Sequence, residues 1–126
     1  MEYNFRKFQG KNTRQENRIT ITKSDQLGLP TQFYNENDIK RFKYAILFWD
    51  KENKAIGIHF NNEKEEKSSF SVIHSNNYGA NVIIRSFLKA NNIDPKKYAG
   101  RYNWRKQNLE GVGDIYIIEL KETTKG

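Results

Sequence analysis

The sequence predicts a mostly β fold with two short helices, that is, an α+β domain in which strands dominate. Its length of 126 residues is that of one domain with one core, which we expect to span residues 1–126. Apolar residues make up only 36% of the composition, but they lie in short runs rich in β-branched and aromatic side chains, as in strands. Within residues 18–23 isoleucine alternates with threonine, which is the period of a half-buried strand.

The first half of the chain predicts two strands, a helix and a hairpin. The second strand ends at Pro30, which with Thr31 favours the start of a helix. Two apolar runs separated by a polar turn then predict the hairpin. A weaker strand signal lies at residues 3–8. The predicted elements are strands at residues 18–23 and 26–29, a helix from Thr31 to about Ile39, and strands at residues 44–49 and 56–60.

The same order of elements recurs after the charged stretch at residues 61–68, which we interpret as a solvated linker. The second set is predicted as strands at residues 69–74 and 78–82, a helix at 83–91, and a closing hairpin at 100–106 and 115–120. We therefore predict two pseudo-repeated strand-strand-helix-hairpin units, at residues 18–60 and 69–120. The matching residues are Ser24 with Ser75, Gly28 with Gly79, Phe33 with Phe87, Asn37 with Asn91, Ile39 with Ile93, Trp49 with Trp104, and Ile56 and Ile58 with Ile115 and Ile117.

The chain is basic, with a formal net charge of +7. Its densest group of cations lies within residues 96–106, a stretch of eleven residues that contains no acid. Such a patch favours polyanions, because each neutralised phosphate releases condensed counterions. The cations of this patch are Lys96, Lys97, Arg101, Arg105 and Lys106. Arg14, Arg18 and Lys23 flank the first predicted strand of the repeat and are candidates to extend the basic surface.

Aromatic residues alternate with the cations of this patch. On a strand, Tyr102 and Trp104 share one face, while Arg101, Asn103 and Arg105 share the other. In one interpretation the arginines bind phosphates and an accessible ring stacks on a base, which is worth roughly 1–3 kcal/mol per base. In the other, both rings belong to the core. We expect a mixture, with the rings mostly in the core and the arginines facing outward toward phosphate.

The sequence contains no pattern that favours catalysis, metal binding or cofactor binding. There is no cysteine, and His59 and His74 lack a spacing typical of metal ligands or of a nucleophile and its base. The glycine-rich segment at residues 111–114 precedes a predicted strand, so it lacks the helix N-terminus of a phosphate cradle. We expect a non-enzymatic protein without cofactor or metal.

Membrane insertion is also not expected. The longest apolar run, residues 44–49, is far shorter than the roughly 20 residues that span a bilayer. The N-terminal residues carry no apolar stretch of the kind found in secretory signals, so we expect a cytoplasmic protein without a membrane partner.

The order of elements resembles the swapped-hairpin unit of AbrB-type transcription factors, which occurs twice in the chain of MraZ-like proteins. The residues that carry the resemblance lie at 18–23, Leu27-Gly28-Leu29-Pro30, 31–39, 44–49 and 56–60. The resemblance implies two units paired into an interlaced barrel, with basic side chains of one face against DNA. It also implies that one chain supplies both units as a single-chain pseudo-dimer. Without a duplication, a homodimer is expected instead.

The leading hypothesis is a nucleic-acid-binding protein, with DNA favoured over RNA and transcriptional regulation as its expected role. Two alternatives stay open. One is a protein-interaction module, antitoxin-like or inhibitor-like, that binds an acidic partner through the same patch. The other is a single-strand binder, because the chain is also similar to the Whirly and transcriptional-coactivator group, which pairs β-rich repeats with short helices.

Overall fold

The structure, a computed structural model, describes residues 16–65, 68–75 and 78–122. The strand signal at residues 3–8 lies outside these ranges. Strands dominate the regular structure, so the predicted mostly β fold is confirmed, although three short helices replace the two expected. The strands are β1 (Ile19–Ile21), β2 (Gln26–Leu29), β3 (Tyr44–Asp50), β4 (Ala55–Asn61), β5 (Ser69–His74), β6 (Ala80–Ile83), β7 (Gly100–Tyr102), β8 (Trp104–Leu109) and β9 (Gly113–Glu119). The helices are α1 (Thr31–Glu36), α2 (Arg85–Ala90) and α3 (Pro95–Tyr98), and a 3₁₀ turn at Ile39–Arg41 follows α1.

Helix α1 ends earlier than predicted, at Glu36. The side-chain amide of Asn37 donates to the carbonyl of Phe33 at 3.0 Å and occupies an acceptor at the helix end. Asp38 then takes a left-handed conformation with a φ of 51°, which stops the helix. The chain continues as the 3₁₀ turn, where Ile39 is buried.

Helix α3 was not among the predicted elements. Asp94 caps it, because its carboxylate accepts a hydrogen bond from the backbone N–H of Lys96 at 2.9 Å. Pro95 occupies the first helical position, where its lack of an N–H costs nothing. In the described part of the chain, no helix is long and apolar enough to cross a membrane.

The strands form one nine-stranded sheet with the order β7-β1-β2-β6-β5-β3-β4-β9-β8. Its two end strands, β7 and β8, are consecutive in the sequence and separated only by Asn103. The predicted strand at residues 100–106 is therefore interrupted, with its first part paired to β1 and its second part paired to β9. The sheet is nearly closed on itself, and Asn103 lies where its two ends meet.

The core fills the inside of this nearly closed sheet, and it draws on both halves of the chain. Phe33 of α1 is fully buried and contacts the rings of Trp104 and Tyr116 edge to face, each at 5.2 Å between centroids. Such geometry is favoured between aromatic rings. Trp49 of β3 and Phe87 of α2 form a second edge-to-face pair at 6.5 Å.

Strand pairing corrects two of the matches expected between the halves. In the β4–β9 ladder, Ile56 lies opposite Ile118 and Ile58 opposite Tyr116. Residues directly opposite share a sheet face, and all four of these belong to the core. Because successive side chains alternate, Ile115 and Ile117 point to the other face. The match of Ile56 and Ile58 with Ile115 and Ile117 is therefore wrong by one residue.

The matches at the first hairpin of each half are also not confirmed. The bond from the N–H of Thr22 to the carbonyl of Gln26 closes the β1–β2 turn at 2.9 Å. Its counterpart in the β5–β6 turn joins Ser75 to Gly79, also at 2.9 Å. By this hydrogen bond Gly79 takes the place of Gln26, so the two turns do not confirm the matches of Gly28 with Gly79 and of Ser24 with Ser75.

Candidate nucleic-acid interface

The interrupted strand at Asn103 presents three polar side chains outward. Arg101 lies opposite Thr20 of β1, and Arg105 lies opposite Ile117 of β9. Arg101, Asn103 and Arg105 are exposed, and they line one open groove that runs across the junction. The outward face predicted from strand alternation is thus formed, even though the two arginines lie on strands with different neighbours.

The two rings between these residues point inward. Tyr102 is buried, and its hydroxyl hydrogen-bonds the carbonyls of Tyr98 and Lys121. Trp104 is half-buried against the core, and its indole N–H donates to the backbone carbonyl and the side-chain oxygen of Asn17 at 2.9 and 2.8 Å. Both rings have structural roles here, and the half-buried Trp104 also lines the groove at Asn103.

Glu16 lies between two of the predicted site residues, Arg18 and Arg101. Its carboxylate accepts two hydrogen bonds from the Arg18 guanidinium, each at 3.0 Å, and lies 3.5 Å from Nε of Arg101. Hydrogen bonds from the side chain and backbone of Arg18, with the charge of Arg101, lower the pKa of Glu16 from 4.5 to about 2. Glu16 therefore stays ionised at neutral pH and partly neutralises these two arginines.

The acid-free stretch does not form a single patch, because Arg105 and Lys106 lie on opposite faces of β8. The guanidinium of Arg105 is 3.3 Å from the carboxylate of Glu119, and both side chains are more than 60% exposed. Lys106 turns away and approaches the carboxylate of Asp114 at 3.6 Å. Alternation along a strand thus divides cations that are adjacent in the sequence.

The remaining predicted site residues are dispersed. Lys23 is exposed in the turn between β1 and β2, and Lys96 and Lys97 are exposed on α3. Arg14 lies outside the described residues. The structure therefore brings together Arg18, Arg101 and Arg105 around the junction at Asn103, and it places Lys106 elsewhere.

Sequence reasoning missed the carboxylates of this surface. Each arginine in the described ranges lies within 4 Å of an acidic side chain. The proximity of Glu16 to Arg18, two residues away, was visible in the sequence. The approach of Glu16 to Arg101 depends on the pairing of β1 with β7, which no local pattern indicates.

The histidines occupy structural positions. His74 has both ring nitrogens engaged, with Nε2 bonded to the carbonyl of Phe42 at 2.9 Å and Nδ1 bonded to the hydroxyl of Tyr34 at 2.7 Å. Nδ1 of His59 bonds the carbonyl of Asp114 at 2.8 Å. Among the described residues, no group of three or more acidic or histidine side chains is arranged to hold a metal ion.

Protein-family models, curated proteins and solved structures were compared with the chain, and none matches it. What the surface around Asn103 does is therefore inferred from its geometry and charge.

Proposed function

We propose that this chain is a nucleic-acid-binding protein that contacts backbone phosphates through Arg18, Arg101 and Arg105. The observation that carries the proposal is the position of these three exposed guanidinium groups around the junction at Asn103, along two adjoining grooves that share Asn103 and Trp104. Guanidinium groups bind phosphate through paired, charge-assisted hydrogen bonds. Lys96, Lys97 and Lys23 add long-range attraction to a polyanion.

The carboxylate beside Arg105 does not prevent phosphate binding at that residue. An exposed ion pair typically contributes about 0–1 kcal/mol, because water screens it and long side chains lose entropy. The Arg105–Glu119 pair belongs to this class, with side chains 69% and 61% exposed. A phosphate that replaces Glu119 at Arg105 also releases counterions, which favours the exchange in low salt.

The inward position of the aromatic rings favours duplex DNA over single strands. Sequence-independent single-strand binders stack bases on accessible rings. Here Tyr102 is buried, and Trp104 is engaged with Asn17 and with the rings of the core. Binding through phosphates alone suits a duplex, whose two backbones present a continuous line of charge.

We further propose that the chain is a duplicated swapped-hairpin unit of the AbrB and MraZ kind, a single-chain pseudo-dimer acting in transcriptional regulation in the cytoplasm. Three local features support the duplication. Asn37 and Asn91 each donate a side-chain hydrogen bond to the carbonyl four residues earlier, at 3.0 and 2.9 Å. The next residues, Asp38 and Asn92, are both left-handed, and each is followed by a buried isoleucine.

Contacts between the halves also support this proposal. Phe33 of the first half packs on Trp104 of the second, and Phe87 of the second packs on Trp49 of the first. The strand ladders are exchanged in the same way, because β1 pairs with β7 while β5 pairs with β3. An exchange of contacts in both directions is what an interlaced pair of units requires.

Binding of the nuclease-treated protein to labelled duplex DNA, single-stranded DNA and RNA at several salt concentrations tests the function. We expect duplex DNA to bind best, and affinity to fall steeply with salt. The double variant R101A/R105A should reduce the slope of log affinity against log salt by about 2, since each lost phosphate contact removes roughly 0.9. The matched control is Lys89→Ala, an exposed cation on α2, which should leave the slope unchanged. No binding to any of the three at low salt would refute the proposal.

A second candidate function, binding to a protein partner, is favoured by the outer face of β3, β4 and β9. Phe48, Gly57 and Ile117 lie side by side across these strands, outside the main core, with Arg105 and Glu119 beside them. Purification of the chain together with one acidic protein in a stoichiometric complex that contains no nucleic acid would favour this function over the first. Phe48→Asp should abolish that complex.

A further inference from the structure

A crevice beside β4 and β9 gathers cationic and polar side chains that the proposed DNA surface does not use. It has a volume of about 230 Å³ and shares no lining residue with the grooves at Asn103. Its polar lining comprises Asn37, Arg41, His59, Lys106, Asp114 and Tyr116. We propose that this crevice is a binding site for a phosphate group, held between Arg41 and Lys106 beside the hydroxyl of Tyr116.

Tyr116 marks the bottom of the crevice. Its ring is buried against Phe33, Phe60 and Trp104, while its hydroxyl donates to the side-chain oxygen of Asn37 at 3.1 Å. Burial raises the pKa of this phenol, whereas the nearby charges of Lys106 and Arg41 act in the opposite direction. Two cations from distant parts of the sequence thus line the same crevice as Tyr116.

Each of the two cations lies over an aromatic ring. The guanidinium carbon of Arg41 lies 4.5 Å from the centroid of the Phe42 ring. Nζ of Lys106 lies 5.6 Å from the centroid of the Tyr116 ring. Both distances are in the range of cation–π attraction, which leaves N–H donors free to bind an anion.

The acidic side chains nearby are about as exposed as the cations that they approach. Asp38 lies 3.7 Å from Arg41, and Asp114 lies 3.6 Å from Lys106, and both carboxylates are more than half exposed. The other bond to the Asp114 carboxylate, from Asn108, is 3.3 Å long. Exposed pairs at such distances contribute little, so these carboxylates can turn into solvent when a phosphate binds between the cations.

His59 completes the lining. Its Nδ1 bonds the backbone carbonyl of Asp114 at 2.8 Å, and because a carbonyl only accepts, Nδ1 carries the proton. The ring is thereby fixed at the edge of the crevice, with Nε2 as its second polar atom. A phosphate bound here would lie between the cations Arg41 and Lys106, and the carboxylate of Asp114 would have to move away from Lys106 to admit it.

The test is a titration of the isotope-labelled full chain with inorganic phosphate at constant ionic strength, followed by NMR of the side chains of Asn37, Arg41 and Lys106. We expect saturable shifts at these three groups. Lys106→Gln and Arg41→Gln should each weaken binding by about tenfold, as expected when one charged partner is lost. Lys89→Gln is the matched control and should bind as the parent chain does. Shifts that do not saturate, or that are equal in K106Q and K89Q, would overturn the proposal.

The source of the phosphate is distinguished by competition. A short duplex that displaces inorganic phosphate from the crevice assigns the site to nucleic acid, whereas a phosphate monoester that displaces it while the duplex does not assigns the site to a small phosphorylated molecule. The site stands independently of DNA binding at Asn103, because R101A/R105A should leave phosphate binding to the crevice unchanged.

Discussion

The strand β3 in the first half of the chain and the interrupted strand β7–β8 in the second half differ in continuity and in outward charge. β3 is continuous from Tyr44 to Asp50 and pairs with β4 along its length and with β5 at its start. Its outward residues Ile46 and Phe48 are apolar. The interrupted strand instead leaves β1 at Tyr102 and joins β9 at Trp104, and its outward residues Arg101 and Arg105 are charged.

The difference between these two strands indicates where charged side chains are tolerated on the outer face of the sheet. A continuous strand between two neighbours supports an apolar outer row, which can pack against another surface. The ladder is interrupted at Asn103, and the side chains of Arg101, Asn103 and Arg105 there are exposed to solvent. Arginine is suited to this place because its stem covers apolar surface while its guanidinium remains in water. The basic surface is thus located where the sheet closes.

The largest expected effect comes from removing the aromatic contacts between the two halves of the chain. Phe33→Ala should destabilise the chain by roughly 3–5 kcal/mol, because Phe33 is fully buried and contacts both Trp104 and Tyr116. Phe87→Ala, its counterpart, should cost less, since Phe87 is only partly buried and its contact to Trp49 is longer. Urea unfolding of both variants measures the difference. Equal losses would mean that the two contacts between the halves are equivalent.

The next effect concerns the turn of the second half that packs against the first. Gly79 has a φ of 93°, and a Cβ there would lie 2.1 Å from the carbonyl oxygen of Leu29. Gly79→Ala should therefore cost about 3 kcal/mol, from the left-handed backbone and from overpacking. Gly111→Ala is the control, because Gly111 also has positive φ but its Cβ would meet nothing within 4 Å. Thermal unfolding should show a clearly smaller loss for Gly111→Ala.

A smaller difference in unfolding free energy is expected between substitutions at the C-terminal ends of α1 and α2. Asn37→Ala removes a bond to the carbonyl of Phe33 and leaves the buried hydroxyl of Tyr116 without its partner. Its cost should be about 2 kcal/mol, against about 1 kcal/mol for Asn91→Ala, which removes only the bond to Phe87. Chemical denaturation of the two variants decides this. A larger loss for Asn91→Ala would contradict the assignment of the Tyr116 bond.

The smallest expected effect is the pH dependence of the stability that Glu16 contributes. The pKa of Glu16 is lowered on folding from 4.5 to about 2, so its contribution to stability is complete above about pH 4.5 and is lost as the pH falls toward 2. The difference in unfolding free energy between the parent chain and Glu16→Gln should therefore shrink over this interval. Urea unfolding between pH 2 and 6 measures it. A difference that is constant with pH would show that Glu16 is not held by Arg18 and Arg101.

Several elements could be predicted from the sequence because local signals delimit them. β2 and β5 have the predicted bounds, at residues 26–29 and 69–74. Pro30 ends β2, and the alternation of apolar with polar residues delimits β5. Helix α3 could have been found from Asp94-Pro95, a capping residue followed by a proline at the first helical position. The interruption at Asn103 has no such signal, because it arises from pairing with strands that are distant in the sequence.

The candidate site was predictable only in part. The outward face of Arg101 and Arg105 follows from the period of a strand, which survives the interruption because one residue separates β7 from β8. The division of Arg105 from Lys106 follows from the same period. The neutralising role of Glu16 and the convergence of Arg41 with Lys106 require the register of paired strands and the turn after α1. Those relations are tertiary, so no local pattern shows them.

Closure of the sheet at Asn103 has a consequence for the synthesis of the protein. β1 is synthesised about 80 residues before its second neighbour, β7. β2 and β3 similarly await β6 and β5 from the later half. Until then the nascent chain exposes unpaired strand edges, which are prone to pair with other chains. We therefore expect folding of this domain to be completed only after β9 has been synthesised, and slowly, as is typical of proteins with such distant contacts.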